Sequence, residues 1–491
     1  MNRKEVNQME GMEVFKDAEA AVKGRRRSEA VQQLNYLIQT KPKLASTWLK
    51  TAQLALTIGE KSIATKAAEL FGSEVGRSVD NDVKRAGIYA EAGDLKKALK
   101  LIEPLTKRDV PVPSIYHLVG TVKAQTGDLL GARTNLSKAL ALSPQLGITW
   151  YTIATVTDFN EQTGVFTKLV EAEKSFKSQT DRNFALYSYA LGKAYADRRE
   201  YEQSEAMYQR GAKIFIQLKP FDIQADTQDV NAIIRNFNSN ALDDIPTSKL
   251  DYDRPVAVLG LPRSGTTLLG QMLASHPVFK GSAESNALTG ATMHLSAENR
   301  VDFPSFMKRH GDAQMAIDYM SQVYQHITEE SFSGNGKVVD KTLSLNRSFG
   351  IFSKILPRSK AIYISRNAED IAWSCYKTPF RANYSWSWHP ETIATHIKNE
   401  LRLIEHWKEL FPERILHITY EDLVKKPEQT LTEVCGFLNI EYDKKMLAFH
   451  KNDQAVLTSS VGQVHKPINQ NSVNLSANYP EFSKVFQKFY K

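Results

Sequence analysis

Residues 255–277 read PVAVLGLPRSGTTLLGQMLASHP. A short β-branched run, PVAVLGL, leads into a glycine-bearing loop, and TTLLGQMLASHP follows with the pattern of an amphipathic helix. Strand, glycine loop, helix is the context in which such a loop cradles phosphate. Gly260 and Gly265 stand five apart, as the glycines of a Walker A loop do. The Walker lysine would fall at Thr266; the cation here is Arg263, three residues earlier. Gly265 lets the backbone approach an anion closely, and the amides from Arg263 to Thr267 can point into one concavity. The helix N-terminus adds a favourable field, and the threonine hydroxyls are further donors. The plain alternative is an ordinary Gly/Pro turn.

Two more segments repeat the rhythm. KAIYISRNAEDIAWSCYK (360–377) is strand, loop and helix; RILHITYEDLVKKP (414–427) is a strand, and EQTLTEVCGFLNI (428–440) a helix. Alternation of this kind predicts a parallel α/β sheet with its ligand at the carboxyl ends of the strands. No convincing Walker B aspartate stands out to hold Mg²⁺.

The first half is different. Gly59, Gly93 and Gly127 recur every 34 residues, as do Ala30, Ala64, Ala98 and Ala132, while Trp48, Tyr116 and Trp150 fall on multiples of that step. Each unit reads as a helix, a Gly-charged turn and a second helix with alanine at the crossing. A 34-residue period with small residues where helices touch is the tetratricopeptide (TPR) signature. Leu191-Gly192, Tyr195, Ser204 and Tyr208 extend it, whereas 156–184 breaks it as a degenerate unit or insertion. An irregular helical bundle is the competing interpretation. The expected organisation is an all-α TPR solenoid over 1–236, a linker over 237–254 marked by Pro246 and Pro255, and an α/β P-loop-like domain over 255–491.

The chain has 491 residues, too many for one core. With 42% hydrophobic and 24% charged residues it reads as globular rather than disordered. A net charge of +8 suits anionic ligands but is too small and mixed to indicate nucleic acid. The cysteines, Cys375 and Cys435, form no CxxC pair, so a reducing cytoplasmic location is expected. The first twenty residues lack the apolar core of a secretory signal, and no stretch of about 18 apolar residues predicts a membrane span. The eleven histidines show no HExxH spacing, so no metal site is expected.

GLPRSGTTLLGQMLASHP resembles the 5′-phosphosulfate loop of sulfotransferases that use 3′-phosphoadenosine 5′-phosphosulfate (PAPS), and YISRNAEDIAWSCYK resembles their 3′-phosphate segment. The resemblance covers roughly 255–475 and is nearest to the tyrosylprotein sulfotransferase-like branch, in particular to bacterial TPR-containing sulfotransferases. It implies that Arg263, Ser264, Gly265, Thr266 and Thr267 bind the 5′-phosphosulfate. It implies that Arg366 and Ser374, eight apart, bind the 3′-phosphate, and that Tyr420 contacts the nucleotide. Glu284 falls at the family's general base and Lys341 at its lysine beside the transferred sulfonate. TSSVGQVHKPI matches the segment that supplies an active-site serine, taken here as Ser460 with Ser459 adjacent.

The chemistry is coherent on its own terms. Sulfuryl transfer leaves charge on a phosphate oxygen, which Arg263 and Lys341 can stabilise. A phenol with a pKa of about 10 needs a base as it attacks, and a carboxylate such as Glu284 can serve. Each residue also has a plain interpretation: Glu284 as a helix-start carboxylate, Lys341 as a surface lysine, Ser374 as a helix serine, Tyr420 as a core aromatic. The run Tyr384 to Pro390 reads equally as acceptor entrance or packed loop.

The sequence departs from the tyrosylprotein enzymes at Asn286, where they carry an arginine, and near Leu475 and Ser476, where they carry a basic residue and tryptophan. The expectation is a PAPS-dependent transfer to a hydroxyl or phenol, protein tyrosine among them, with the TPR surface holding the acceptor or a protein partner. Two rivals remain: a P-loop-like kinase or NTPase, and a TPR scaffold whose second domain binds nucleotide without catalysis.

Overall fold

A computed structural model describes residues 3–108, 110–343, 345–380, 382–451, 467–470 and 472–491. Ser459 and Ser460 lie outside the described residues.

Left-handed turns set the architecture of the first half. Arg25 (φ 58°), Gly59 (86°), Gly93 (90°) and Gly127 (86°) stand one repeat apart, and Arg199 (61°) makes the last turn. Glycine adopts this conformation without a Cβ clash, which explains its recurrence. Asp94 and Asp128, next in the chain, then cap the following helices by accepting from the amides of Lys97 and Gly131 at 3.0 and 2.8 Å. The result is a succession of helical hairpins: Arg3–Lys23 with Arg27–Thr40, Thr47–Thr57 with Lys61–Val75, Val79–Glu91 with Leu95–Lys107, Pro113–Gln125 with Leu129–Leu142. Arg182–Asp197 with Tyr201–Leu218 forms another. The four repeating alanines are completely buried at the crossings. In the irregular stretch, Gly147–Thr155 is followed only by the short helix Thr163–Glu171 and a 3₁₀ turn, Ala172–Ser175.

The second half holds a five-stranded parallel sheet: β1 (Pro255–Leu259), β2 (Phe279–Ala283), β3 (Lys337–Asp340), β4 (Ala361–Ser365) and β5 (Ile415–Thr419). The order across the sheet is β2-β3-β1-β4-β5. Alternation along β1 feeds two cores. Val256 and Val258 face the helices Thr266–Ala274 and Pro427–Leu438; Ala257 and Leu259 face Leu345–Ile355 and Pro390–Leu410. The sheet is therefore covered on both faces, as parallel sheets require. The strand order reverses at β1, so the crevice beyond its carboxyl end is the expected ligand position.

The segment 237–254 is not a free tether. It carries the short helix Ser239–Asp243, and Phe237, Leu242, Ile245 and Tyr252 are buried in the core under the sheet. Just before it, the helix Ile223–Asn236 reaches across: Asp226 accepts from Arg347 at 2.6 Å and from Asn399 at 2.9 Å. The two halves also share one continuous core. Phe215 stacks on Trp388 with ring centres 4.9 Å apart, and Tyr208 meets Trp373 edge-on at 5.7 Å. Tyr479 stacks on Trp373 with ring centres 3.7 Å apart. Among the described residues no helix is long and apolar enough to cross a membrane. Cys375 and Cys435 are both buried free thiols.

Candidate active site

Each strand delivers one predicted residue at its carboxyl end. Glu284 directly follows β2, Lys341 follows β3, Arg366 follows β4 and Tyr420 follows β5; β1 runs into the loop 260–265. Parallel strands end on the same side of the sheet, so five segments far apart in sequence converge on one crevice.

The loop is a tight turn. The Ser264 amide donates to the Leu261 carbonyl at 3.1 Å across Pro262 and Arg263. Pro262 takes the position that suits its fixed φ, and Arg263 (φ 70°) the position where glycine or asparagine is usual. A residue with a Cβ is held there at a cost of ~1–2 kcal/mol. The side chain is anchored in return: Arg263 Nε donates to Ser374 Oγ at 2.9 Å. Arg366 Nη1 donates to the Arg263 carbonyl at 2.9 Å, and its guanidinium lies 4.7 Å over the Tyr420 ring. Arg263, Arg366, Ser374 and Tyr420 thus form one cluster. Gly265 (φ 108°) packs under that ring; a Cβ there would come within 2.6 Å of Tyr420 Cδ2.

Burial and charge are in tension here. Burial, with Arg366 adding repulsion, draws the Arg263 guanidinium below its ordinary pKa. Ser264 Oγ and Arg366 Nε are buried without a hydrogen-bond partner among the described residues. Unpaired buried donors are costly and rare. Two of them, beside two arginines and a helix N-terminus starting at Thr266, fit an oxyanion.

The acid–base side is built on β2 and β3. Lys341 is 3% exposed, and its ammonium donates to Glu284 Oε1 at 3.0 Å; Glu284 is 37% exposed. Gly270 lets the helix Thr266–Ala274 pass close by, since a Cβ would meet Ser282 Oγ at 2.4 Å and Lys341 Cδ at 3.3 Å. Asp340, buried beside them, has four donors on its two oxygens: Tyr324 OH at 2.6 Å and Ser285 Oγ at 3.0 Å on one, Thr342 Oγ1 at 2.6 Å and the Thr342 amide at 3.0 Å on the other. This carboxylate stands at the end of the strand beside β1, yet all its acceptor capacity is spent on holding the turn that carries Lys341.

The departures also have places. Asn286 (φ 54°) turns the chain into the short helix Ala287–Ala291. Ser476 is buried, and both its amide and hydroxyl donate to Asp370 Oδ1 at 3.0 Å, while the Asn474 amide donates to Asp370 Oδ2 at 2.8 Å. Asp370 is also 3.7 Å from Arg366, whose Nη2 donates to the Ser472 carbonyl. The C-terminal segment is therefore pinned over the Arg366 cluster. The aromatic run divides: Trp386 stacks on His396 at 4.0 Å and Trp388 on Phe215, while Tyr384 lines the cavity.

That cavity measures about 2240 Å³ and lies between the two halves. Arg263, Glu284 and Lys341 line it from one side; Tyr151, Arg133 and Lys193 of the helical half line it from the other. Burial pushes the Tyr151 phenol up to about 12, against the opposing pull of Arg263.

Residues 255–444 match the model of the Sulfotransferase family. The match falls in the second half of the chain and takes in all five strands of the sheet. Among curated proteins, the chain is 24% identical over 402 residues to an uncharacterized protein of Aquifex aeolicus (strain VF5), covering 80% of this chain and 51% of that one. The chain thus spans about half the length of this relative. It is 25% identical over 241 residues to a Caenorhabditis briggsae protein named as a candidate protein-tyrosine sulfotransferase, covering 46% of this chain and 80% of the other. Among solved structures it is similar to the sulfotransferase domain of the Synechococcus PCC 7002 olefin synthase (20% identity, 49% of this chain, 98% of that chain, TM-score 0.34). It is also similar to a mouse sulfotransferase solved with PAP (15% identity, 51% and 85%, TM-score 0.30).

One residue of the site went unread in the sequence. Lys377, three residues after Ser374 on the same helix end, also lines the cavity. Its only sequence signal was its place in YISRNAEDIAWSCYK, where a terminal lysine reads as a helix-end charge.

Proposed function

We propose that the protein is a PAPS-dependent sulfotransferase acting on a hydroxyl or phenol acceptor, protein tyrosine among them. The observation that carries this is the pairing of two sites on one crevice: an anion cradle around Arg263, Arg366 and Ser374, and a Lys341–Glu284 pair beside the same loop. Bound PAPS supplies a sulfuryl group on a phosphate leaving group. Ser264, the amides to Thr267 and the threonine hydroxyls would hold the 5′-phosphosulfate, and Arg366 with Ser374 the 3′-phosphate. Arg263 lies against Ser374 and so can reach either end of the nucleotide. Lys341 stabilises charge that develops as the phosphate oxygen departs. Glu284, more exposed than Lys341, takes the acceptor proton as the new O–S bond forms. Lys341 anchors this carboxylate within the crevice before the acceptor arrives. The TPR-like half completes the cavity in which the acceptor would sit.

The kinase reading requires a cation at Thr266 and an aspartate free for Mg²⁺. Thr266 is a buried helix-start threonine, and Asp340 is saturated by protein donors. The scaffold reading leaves the ion pair between buried Lys341 and exposed Glu284 without a purpose. Incubation of the protein with ³⁵S-PAPS and an extract of its host, followed by separation of proteins, glycans and small molecules, tests the proposal. Label transferred by the wild type and not by Glu284→Gln supports it; absence of any transfer with bound PAPS contradicts it.

A further inference from the structure

The ammonium of Lys377 lies between the two halves. Arg263 and Arg366 of the cradle and Lys193 and Asp197 of the helix Arg182–Asp197 line the same cavity as Lys377, and these four charges act most strongly on it. Asp197 is the one anion among them, and it is already engaged: it accepts from Lys193 and from the Phe159 amide at 3.1 Å. Lys193 in turn donates to the Thr157 carbonyl at 3.2 Å. Lys377 makes no hydrogen bond or ion pair through its side chain among the described residues, although it lines the cavity one helical turn beyond Ser374. A cation among three others, with no free counter-ion and open to a cavity, either gives up its proton or is matched by an anion entering that cavity.

We propose that Lys377 is a further anion-binding residue of the nucleotide site, held without a protein counter-ion so that its charge is completed by the phosphate groups of the bound nucleotide. This rests on the PAPS reading above. The surroundings make the residue a proton-linked cation. Burial, then Arg263, Arg366 and Lys193, bring its pKa down to about 7 in the free protein, against the weaker opposing pull of Asp197. A bound phosphate reverses that balance, so binding draws a proton from solvent. The helical half takes part, because Lys193 and Asp197 belong to it.

Calorimetric titration of the full chain with adenosine 3′,5′-bisphosphate (PAP) between pH 7.5 and 9, in buffers of different ionisation enthalpy, reads this out. Free phosphate monoesters are already doubly ionised in that range, so the ligand contributes no slope. The wild type should take up close to one proton and lose affinity by a factor approaching about tenfold per pH unit. Lys377→Met should bind about tenfold or more weakly at pH 7.5, with no proton uptake and no slope. Lys377→Arg, always charged, should bind tightly with a flat pH profile; this separates the charge from any packing role. A wild-type slope retained in Lys377→Met, or a slope retained in Lys377→Arg, overturns the proposal. A wild type that does not bind PAP at all overturns the nucleotide reading instead.

Discussion

Arg263 stands where a turn of this shape ordinarily takes glycine, and its anchor is Ser374, 111 residues away. The sequence suggested separate duties for the two, one at each end of the nucleotide. Their contact follows from the left-handed backbone at Arg263, which motif spacing does not reveal. Glu284 and Lys341 were picked out only through the resemblance to the family's base and lysine; their mutual ion pair was not legible, since 57 residues separate them. Two outcomes follow at this scale. Glu284→Gln should keep PAP affinity within a few-fold while transfer falls by about 10²–10⁴, the usual worth of a positioned base; unchanged turnover would remove its role. Arg366→Ala should weaken PAP far more than adenosine 5′-monophosphate, by calorimetry on both. Equal losses would mean that Arg366 does not hold the 3′-phosphate.

At the scale of elements, β1, β4 and β5 could be read as strands because each is a run of apolar and β-branched residues. β2 and β3, FKGSA and KVVD, are too short and too rich in small or polar residues to announce themselves. They are defined by pairing: β3 lies beside β1, and β2 beside β3. The strand–loop–helix unit around β1 depends on one glycine. In Gly265→Ala the new Cβ would strike Tyr420, and the residue would also be forced into a conformation that L side chains avoid. We expect this variant to lose PAP binding by at least about tenfold while retaining its far-ultraviolet circular dichroism, because the disturbance moves the ring that lies under Arg366. Wild-type affinity in Gly265→Ala would show that the close approach is not needed.

At the scale of the whole molecule, the 34-residue period disclosed the helical hairpins, but nothing in it showed that they share a core with the sheet domain. That core is made of aromatic contacts between residues more than a hundred positions apart, such as Phe215 with Trp388. A second seam is ionic. Glu60 sits where the next two repeats place the capping aspartates Asp94 and Asp128, yet its carboxylate accepts from Arg27 at 2.6 Å and contacts His326 Nε2 at 3.0 Å on the helix Ala313–Ser331. The hydrogen bond to Glu60 raises the His326 pKa; burial raises that of Glu60, but His326 and Arg27 outweigh it and the net direction is down. The histidine's contribution is therefore present below its ordinary value of about 6.5 and lost as pH rises through its raised value; that of Glu60 is lost as pH falls through its lowered one. Scanning calorimetry should show a small fall in melting temperature above about pH 6.5 that is absent in His326→Gln, small because His326 is half exposed. An identical slope in both would place the linkage elsewhere. The central claim, that this crevice holds a nucleotide with a 3′-phosphate, is tested most directly by the melting temperature of the full chain with PAP and, separately, with ATP and Mg²⁺. The structure predicts a rise of several degrees with PAP and little or none with ATP and Mg²⁺; a rise with ATP and Mg²⁺ alone would contradict it.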